Sequence, residues 1–561
     1  MTVSDEGLDT QVVIVGGGPV GLITALLLAR WGVRTTVLER RVAPSLLPRA
    51  RALTARSMEV LRSLGLEERV RSAALPMEVT GRHYYFGHSL TDPDFRRLVR
   101  SRASRQTEAS AVPPAICTQD RLEPILRTAV RGTPAITLLT GVEVTAIARH
   151  GDSVEVGYQP VGSGPALSAR ASYCVAADGA HSRVRDALGI RMSEPEEASH
   201  NLNILFEADL GPLLEDRRSA IYFLDSGEAH GYVMPGDGGR RWLFNQILDG
   251  PYRPGSDDTD RCADAVRRVI GPGGPAVTVV DRQRWTGVSR LAERFGEGRV
   301  LLVGDAAHVV TPFSGIGLNL GVQDACNAAW KLAGAVGGWG GPALVESYGP
   351  ERRAVAAWTI DEDRETMRAA RPADPSPSAG PGPTPDDQAG MGRWSAWYGR
   401  MLERRNDQGL VFGYHYDSTA VVPDGTPPPR SDDPFGEYVP TGRPGHRAPH
   451  AMVELGSGAR LPVADLFGPW FTVLAADAAP LGLSEALRGA SDLPPLRVHQ
   501  VTSADPDTDW TELYGIAKDG AVLVRPDGHT AARYHSLPAD FAAVLRRDLR
   551  RLTEPPQGAQ R

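Results

Sequence analysis

The clearest hydrophobic pattern lies near the start of the chain. An apolar run at 12–15 ends in a glycine-rich turn, a mostly apolar stretch at 22–32 follows, and a second apolar run ends at Glu39. Short apolar runs bounded by turn residues indicate buried strands, and the longer stretch between them indicates a helix. Residues 11–40 are therefore predicted to form a strand–helix–strand unit.

Two later apolar runs, at 172–178 and 299–305, also read as buried strands that end in acid-containing turns. The stretches at 80–114 and 191–284 instead alternate with period two and contain many aromatic residues. Such alternation is typical of an antiparallel sheet with two different faces. The chain is thus predicted to be an α/β protein with an inserted antiparallel sheet, one face in a core and the other lining a pocket.

The second half of the chain changes character three times. Residues 344–370 read as a charged helix, and the proline-, glycine- and serine-rich stretch at 371–390 reads as a mobile loop. The block at 447–561 alternates between strands, at 470–476 and 521–524, and helices, at 478–490 and 538–552. This block is predicted to be a separate compact α/β module.

Composition removes several classes of function. With 61 Lys and Arg against 68 Asp and Glu, the net charge is −7, which argues against a nucleic-acid partner. The four cysteines are too widely spaced for a zinc site or a redox pair, so we expect no metal and a reducing, cytoplasmic setting. No apolar stretch is long enough to span a membrane, and the first residues are acidic rather than basic.

The glycine-rich turn carries the first candidate chemistry. Gly16, Gly18 and Gly21 form a GxGxxG pattern between a strand and a helix, which allows the main chain to approach a pyrophosphate. Glu39 follows Gly18 by 21 residues, where an acid accepts hydrogen bonds from ribose hydroxyls. The pair predicts an adenine dinucleotide, either NAD or FAD; the alternative is a structural turn beside a solvated glutamate.

A later segment separates these two cofactors. The run at 299–308 (RVLLVGDAAH) is followed by Thr311, Pro312, Gly315 and a helical stretch. It resembles the second FAD signature of the flavin-dependent aromatic hydroxylases with the p-hydroxybenzoate hydroxylase fold. The resemblance implies that Asp305 binds the ribityl and pyrophosphate part of FAD, and the alternative is a turn residue. It also implies that the helix start at Leu318 and Asn319 faces the pyrimidine edge of the flavin, where its partial positive charge stabilises the reduced form.

Three further stretches agree with this family. They are the DGAHSRVR run at 178–185, the arginine-containing segment at 48–65, and Gln119. Arg56 and Glu59 are interpreted as a pair on one helix face. The sequence departs from the family at Thr311, in place of a proline, and at Ser314, in place of a glycine. The residues that the resemblance places at FAD are Gly16, Gly18, Pro19, Val20, Gly21, Glu39, Arg40, Arg49, Gln119, Asp178, Asp305, Pro312, Gly317, Leu318 and Asn319.

The C-terminal block narrows the resemblance. Residues 521–533 are similar to the ending of the larger phenol and polyketide hydroxylases, whose last domain is thioredoxin-like; here it contains no cysteine, so thiol redox chemistry is excluded. The implied organisation is a Rossmann-like FAD-binding domain (1–79, 115–190, 285–400) and an inserted antiparallel-sheet substrate domain (80–114, 191–284). A linker (401–446) and a thioredoxin-like domain (447–561) follow.

The family resemblance implies an oxygenase. NAD(P)H would reduce FAD, O2 would add at the flavin C4a atom, and the hydroperoxide would hydroxylate an electron-rich phenolic or polyketide-type ring. The expected partners are a small aromatic substrate and O2, with a homodimer left open. The alternatives are Baeyer–Villiger oxygenation, a non-catalytic flavin-bound assembly protein, and a plain dehydrogenase.

Candidates for contact with the substrate lie on the inserted sheet. His230, Tyr232 and Met234 share strand parity, so they are predicted to share a face. Tyr222, Asn245 and Gln246 are further substrate candidates, and packing in the core or a surface position is the alternative for every member of this group. The catalytic candidates are His230, Tyr232 and Arg51, while His308 is interpreted as structural.

Overall fold

In the computed structural model, the described residues are 8–81, 83–99, 109–195, 199–227, 229–248, 250–252, 255, 257–312, 315–369, 399, 407–476 and 493–554. The predicted loop at 371–390, the predicted helix at 478–490 and Ser314 lie outside these residues. Within the described part, no helix combines the length and apolar character that crossing a membrane requires.

A six-stranded sheet, called here the nucleotide sheet, carries the first predicted unit. Its strands, in spatial order, are Gly296–Glu297, Val300–Leu302, Tyr173–Ala176, Val12–Val15, Thr35–Glu39 and Ile136–Thr140. All neighbouring pairs are parallel except the first. The strands predicted near 12, 173 and 300 are therefore neighbours although the chain separates them widely, and their carboxyl ends meet at one edge.

Helices cover this sheet and share its core. Pro19–Ala29 begins with proline, whose fixed φ suits a first helical position, and it packs against Gly317–Gly337. Among the described residues before 400, the remaining α-helices are Ala55–Ser63, Glu67–Ala73, Met77–Thr80, Gln119–Arg131, Arg183–Ala187, Thr259–Ile270, Pro342–Glu346 and Tyr348–Ala369. The stretch predicted as one helix from 344 is therefore two helices that meet at Ser347.

A seven-stranded sheet, called here the middle sheet, forms from the aromatic, alternating stretches. Its strands, in order, are Thr278–Gly287, Ser199–Glu207, Arg241–Leu248, His230–Pro235, Ser219–Asp225, His83–Gly87 and Arg96–Val99. All pairs are antiparallel except that between the fifth and sixth strands. One face packs on helix Thr259–Ile270 through Cys262, Val266 and Val269. The other face turns toward the nucleotide sheet.

Smaller elements complete the first part of the chain. A four-stranded sheet consists of Leu8–Asp9, Leu167–Ala171, Val154–Pro160 and Val142–Arg149. Two short pairs join Ala52–Leu53 to Ala115–Ile116 and Arg290–Leu291 to His308–Val309. Single helical turns occur at Pro212–Arg217, Gly304–Ala306 and Gly409–Gly413.

The C-terminal block is a six-stranded mixed sheet, in agreement with the predicted α/β module. Its strands, in order, are Arg460–Pro462, Met452–Leu455, Leu496–Ser503, Phe471–Ala475, Ala521–Val524 and Thr530–Tyr534. Its helices are Val463–Leu466, Trp510–Tyr514 and Phe541–Thr553. Helix Phe541–Thr553 buries Leu545 and Leu549 against this sheet and against Trp330 of helix Gly317–Gly337, which is called here the long helix.

Candidate functional site

The glycine turn after the first strand is too tight for side chains. Gly16 has φ +106°, and a Cβ there would lie 2.3 Å from the carbonyl oxygen of Ala177. A Cβ on Gly21 would lie 2.0 Å from the carbonyl oxygen of Gly16. At Gly18, in contrast, φ is −73° and a Cβ would meet no atom within 4 Å. The turn therefore leaves an open space at the start of helix Pro19–Ala29, where main-chain N–H groups can receive a phosphate.

Glu39 lies beside this turn at the end of the neighbouring strand. Its carboxylate accepts hydrogen bonds from the main-chain N–H groups of Gly17, at 2.6 Å, and Arg41, at 2.7 Å. These bonds fix the carboxylate at the edge of the same open space. Glu39 therefore orders the glycine turn and keeps a carboxylate at the edge of the cavity.

The second signature meets the first at the helix contact. A Cβ on Gly321 would lie 2.7 Å from Cγ2 of Val20 and 3.1 Å from Cα of Gly304. This close approach brings Asp305 to the glycine turn. Both segments open on one cavity of about 1430 Å³ between the nucleotide sheet and the middle sheet.

The cavity brings together most of the predicted site. It is lined by Gly16, Gly18, Pro19, Val20, Glu39, Arg40, Arg49, Arg51, Gln119, Asp178, Tyr232, Met234, Asp305, Pro312, Gly317 and Leu318. Six predicted residues are not among its lining residues: Gly21, Tyr222, His230, Asn245, Gln246 and Asn319.

Charged groups face each other across the cofactor end of the cavity. Asp305 lines the cavity and is exposed there, while desolvation by the surrounding protein raises the pKa of its carboxyl, an effect that His308 and Arg49 partly oppose. Burial likewise lowers the pKa of Arg49. Two cavity-lining charges of opposite sign suit a ligand that carries both hydroxyl and phosphate groups.

His308 belongs to the support of this turn, as the sequence interpretation had it. Its Nε2 lies 2.6 Å from Oδ2 of Asp324, and both side chains are fully buried. Asp324 also accepts hydrogen bonds from the main-chain N–H of Gly304 and from Arg352, at 2.9 and 2.7 Å. Burial alone would raise the pKa of Asp324, but His308 and Arg352 lower it to about 2. The carboxylate thus holds the turn before Asp305 to the long helix.

Asn319 also supports the site, although it does not line the cavity. Its Oδ1 accepts from the main-chain N–H of Thr54 at 2.9 Å, and its Nδ2 donates to the carbonyl of Ala52 at 2.9 Å. Asn319 therefore ties the start of the long helix to the arginine-containing segment. The predicted pair on helix Ala55–Ser63 is confirmed, since Arg56 and Glu59 form a buried ion pair at 2.8 Å.

The middle sheet turns one in-register row of side chains toward the cavity. Adjacent strands pair Gln283 with Asn203, Asn203 with Asn245, Asn245 with Tyr232, and Tyr232 with Phe223. Four of these residues line the cavity, and Asn245 lies buried between them. The Asn245 Nδ2 donates to Oδ1 of Asn203 at 2.7 Å.

Tyr222 lies on the opposite face, which corrects its sequence assignment to the substrate wall. It pairs with Val233, and its hydroxyl donates to the carbonyl of Arg217 at 2.8 Å inside the core beneath helix Thr259–Ile270. Its neighbour Phe223 takes the cavity position because adjacent strand residues face opposite sides. His230 is buried one row beyond Tyr232 and does not reach the cavity wall.

Several cavity residues escaped the sequence analysis. They are Tyr84, Asn201, Asn203, Phe223 and Trp285. Polar residues alternate with Leu202 and Ile204 along one strand, and this alternation was the available signal for the two asparagines. The aromatic members carried no signal that distinguishes a pocket from a core.

Arg51 joins the cofactor segment to the middle sheet. Its two terminal nitrogens donate to the carbonyls of Ala220, at 3.0 Å, and Pro235, at 2.8 Å. Burial raises the pKa of the neighbouring Tyr232 hydroxyl, and the positive charge of Arg51 opposes that rise only in part. Tyr232 is therefore a neutral phenol at physiological pH, able to donate a hydrogen bond in the cavity.

The fold and this cavity define a class of protein, a flavoprotein that holds FAD. The described residues fit FAD, because a glycine turn without side chains, the carboxylate of Glu39 and the start of a helix line one space. Family models agree: residues 9–363 match an FAD binding domain, and residues 441–556 match the C-terminal domain of aromatic-ring hydroxylases. The chain belongs to the FAD-dependent aromatic-ring hydroxylases, and it is a monooxygenase of that family.

Full-length relatives extend this result. Aklavinone 12-hydroxylase RdmE of Streptomyces purpurascens is 33% identical over 97% of this chain and 99% of its own length. Among solved structures, the flavin-dependent monooxygenase PieE, in complex with FAD and substrate, matches with a TM-score of 0.85 and 28% identity over 98% of this chain and 99% of that one. Aklavinone-11 hydroxylase, in a ternary complex with FAD and aklavinone, matches with a TM-score of 0.82 and 30% identity over 97% and 99%.

Proposed function

We propose that this protein inserts one oxygen atom of O2 into a phenolic or polycyclic aromatic molecule of the polyketide type, with NAD(P)H as the electron donor. One observation carries the proposal: a single cavity has a nucleotide cradle at one end and an aromatic and amide wall at the other. The similarity to hydroxylases of aklavinone supports a fused-ring substrate. The four free cysteines suit a reducing cytoplasm.

Bound FAD would carry electrons from NAD(P)H to O2 and deliver one oxygen atom to the ring, and the second oxygen atom leaves as water. The cofactor-lining residues that we propose to hold it are Gly16, Gly18, Pro19, Val20, Glu39, Arg40, Arg49, Gln119, Asp178, Asp305, Pro312, Gly317 and Leu318. From the described contacts, Gly21 and Asn319 shape the site without lining it.

The substrate end of the cavity is suited to a flat, weakly polar ring. Phe223 lies within an aromatic group, with ring centroids 6.1 Å from Tyr232 and 6.2 Å from Tyr84. Met234 and Leu243 extend this surface. These side chains keep water away from the reacting atoms, and the Tyr232 hydroxyl is proposed to donate to a substrate oxygen. Through its hydrogen bonds to Ala220 and Pro235, Arg51 is proposed to fix the position of the middle sheet relative to the cofactor.

The test of this function is a screen of phenols, naphthols and hydroxyanthraquinones with the FAD-loaded protein. At least one aromatic compound should stimulate NADH or NADPH oxidation and yield a product heavier by one oxygen atom. Nuclear magnetic resonance of that product then separates ring hydroxylation from oxygen insertion beside a ketone. Stimulated oxidation that gives only H2O2 with every compound would contradict the proposal, and FAD-free protein is the control.

Replacing Glu39 with alanine should weaken FAD binding by about tenfold, because the ribose loses an acceptor and the Gly17 N–H loses its partner. Glu39→Gln keeps one oxygen acceptor and should retain more of the affinity. Equilibrium titration of the FAD-free protein with FAD measures both variants. Equal FAD affinity in Glu39→Ala and the unaltered protein would remove Glu39 from the cofactor site.

A further inference from the structure

The buried asparagine pair of the middle sheet has one unused donor that faces the cavity. Asn203 is 8% exposed and lines the cavity, and its Oδ1 already accepts the hydrogen bond from Asn245. A side-chain amide has two donor hydrogens on nitrogen, so the group left to Asn203 is its Nδ2. Among the described residues, no protein group accepts a hydrogen bond from this nitrogen.

The same pair contains a buried atom that the fold leaves unsatisfied. Asn245 is fully buried, and its Oδ1 has no hydrogen-bond partner among the described residues. An unpaired buried acceptor destabilises a protein, and two apolar residues of the same shape would avoid that loss. The pair therefore does not exist for stability alone, and of its two members Asn203 lines the cavity while Asn245 does not.

The row that contains the pair gives the donor a direction. Across the sheet, Asn203 is followed by Asn245, then Tyr232, then Phe223. Neighbouring strands lie about 4.8 Å apart, so the donor is about 10 Å from the strand of Tyr232. A fused ring that rests against Tyr232 and Phe223 would extend along this row toward Asn203.

We propose that Asn203 is a specificity-determining residue that donates a hydrogen bond to a carbonyl or phenolate oxygen on the substrate edge far from Phe223, and that Asn245 orients it. The proposal rests on the proposed function, since it concerns the ring that the cavity oxygenates. The Asn245 bond fixes the Asn203 amide with its oxygen inward and its nitrogen outward. The site thereby selects fused rings that carry an oxygen acceptor over rings of equal shape without one.

Two soluble probes isolate this preference. Anthraquinone-2-sulfonate and anthracene-2-sulfonate share one ring skeleton and one charge, and they differ in the two carbonyl oxygens. Calorimetric titration of the oxidised, FAD-loaded protein at pH 8 should show three- to tenfold tighter binding of the quinone, as for about one hydrogen bond. The ratio of the two dissociation constants cancels any effect of the shared sulfonate.

Two variants then locate the source of the preference. Asn203→Asp keeps the shape and the acceptor for Asn245, but it turns an acceptor instead of a donor toward the cavity. Asn203→Leu removes both groups without adding charge. Both variants should bring the ratio to about one or below. If Asn203 only held Asn245 in place, Asn203→Asp would keep the ratio of the unaltered protein.

The matched control is Gln246→Met. This change removes an amide from strand Arg241–Leu248, which carries Asn245, on the face opposite to Asn245. It should keep the unaltered ratio. A ratio near one in the unaltered protein, no binding of either probe, or a preserved ratio in the Asn203 variants would overturn the proposal. The proposed function is tested separately, because the product screen uses only the unaltered protein and does not depend on these probes.

Discussion

Replacing Gly18 with alanine is expected to weaken FAD binding by about 10- to 100-fold while changing the free energy of unfolding of the FAD-free protein by less than about 0.5 kcal/mol. The backbone of Gly18, at φ −73°, accepts alanine, and the added methyl group would meet no protein atom within 4 Å. It would enter the cavity at the start of helix Pro19–Ala29, where the main chain is proposed to receive the pyrophosphate.

Two measurements test this expectation together. Urea unfolding of the FAD-free protein reports the effect on the fold, and FAD titration reports the effect on the cofactor site. The matched control is Gly349→Ala, which also meets no atom within 4 Å but lies away from the cavity. An unaltered FAD affinity in Gly18→Ala would place the pyrophosphate elsewhere.

Replacing Arg525 with methionine is expected to lower the free energy of unfolding by about 3–5 kcal/mol, because it removes the guanidinium that neutralises two buried carboxylates. The Arg525 guanidinium bonds both oxygens of Glu351, at 2.8 and 2.9 Å, and Asp527 at 2.6 Å, and all three are buried. Burial would raise the pKa of Glu351, but Arg525 and Lys331 hold it well below its usual range. The pair joins the C-terminal block to helix Tyr348–Ala369.

Urea unfolding of the FAD-loaded protein measures this loss. Arg460→Met is the matched control, because Arg460 pairs with Glu454 at an exposed site and should contribute less than about 1 kcal/mol. Equal losses in the two variants would contradict a contribution from the buried ion pair. Lys331 also contacts Glu351, at 2.7 Å, so Glu351 keeps one positive partner in Arg525→Met.

The cofactor end of the molecule was predictable because its signals are local. A glycine turn between a strand and a helix, and an acid at a fixed distance, specify their own conformation from neighbouring residues. The three strands near 12, 173 and 300 could be assigned one by one from their apolar runs. The family resemblance placed them in one discontinuous domain, and the fold shows that they are neighbouring strands of one sheet.

The substrate end was less predictable, because it depends on how strands pair. Tyr222 and Phe223 are adjacent aromatic residues, and only the pairing of Phe223 with Tyr232 decides which of them faces the cavity. The partnership of Asn203 with Asn245 joins residues 42 positions apart and leaves no mark in either segment alone. The same holds for Arg525 and Glu351, which are 174 positions apart.

The most direct test of the central claim is a single turnover with isotopic oxygen. The FAD-loaded protein is reduced without air, mixed with an aromatic compound that the screen selects, and exposed to ¹⁸O2. We predict a product that carries one ¹⁸O atom on the aromatic skeleton, and we predict that Gly18→Ala forms it only in proportion to its bound FAD. A product that takes its oxygen from water, or reoxidation of the protein with no labelled product, would contradict the account.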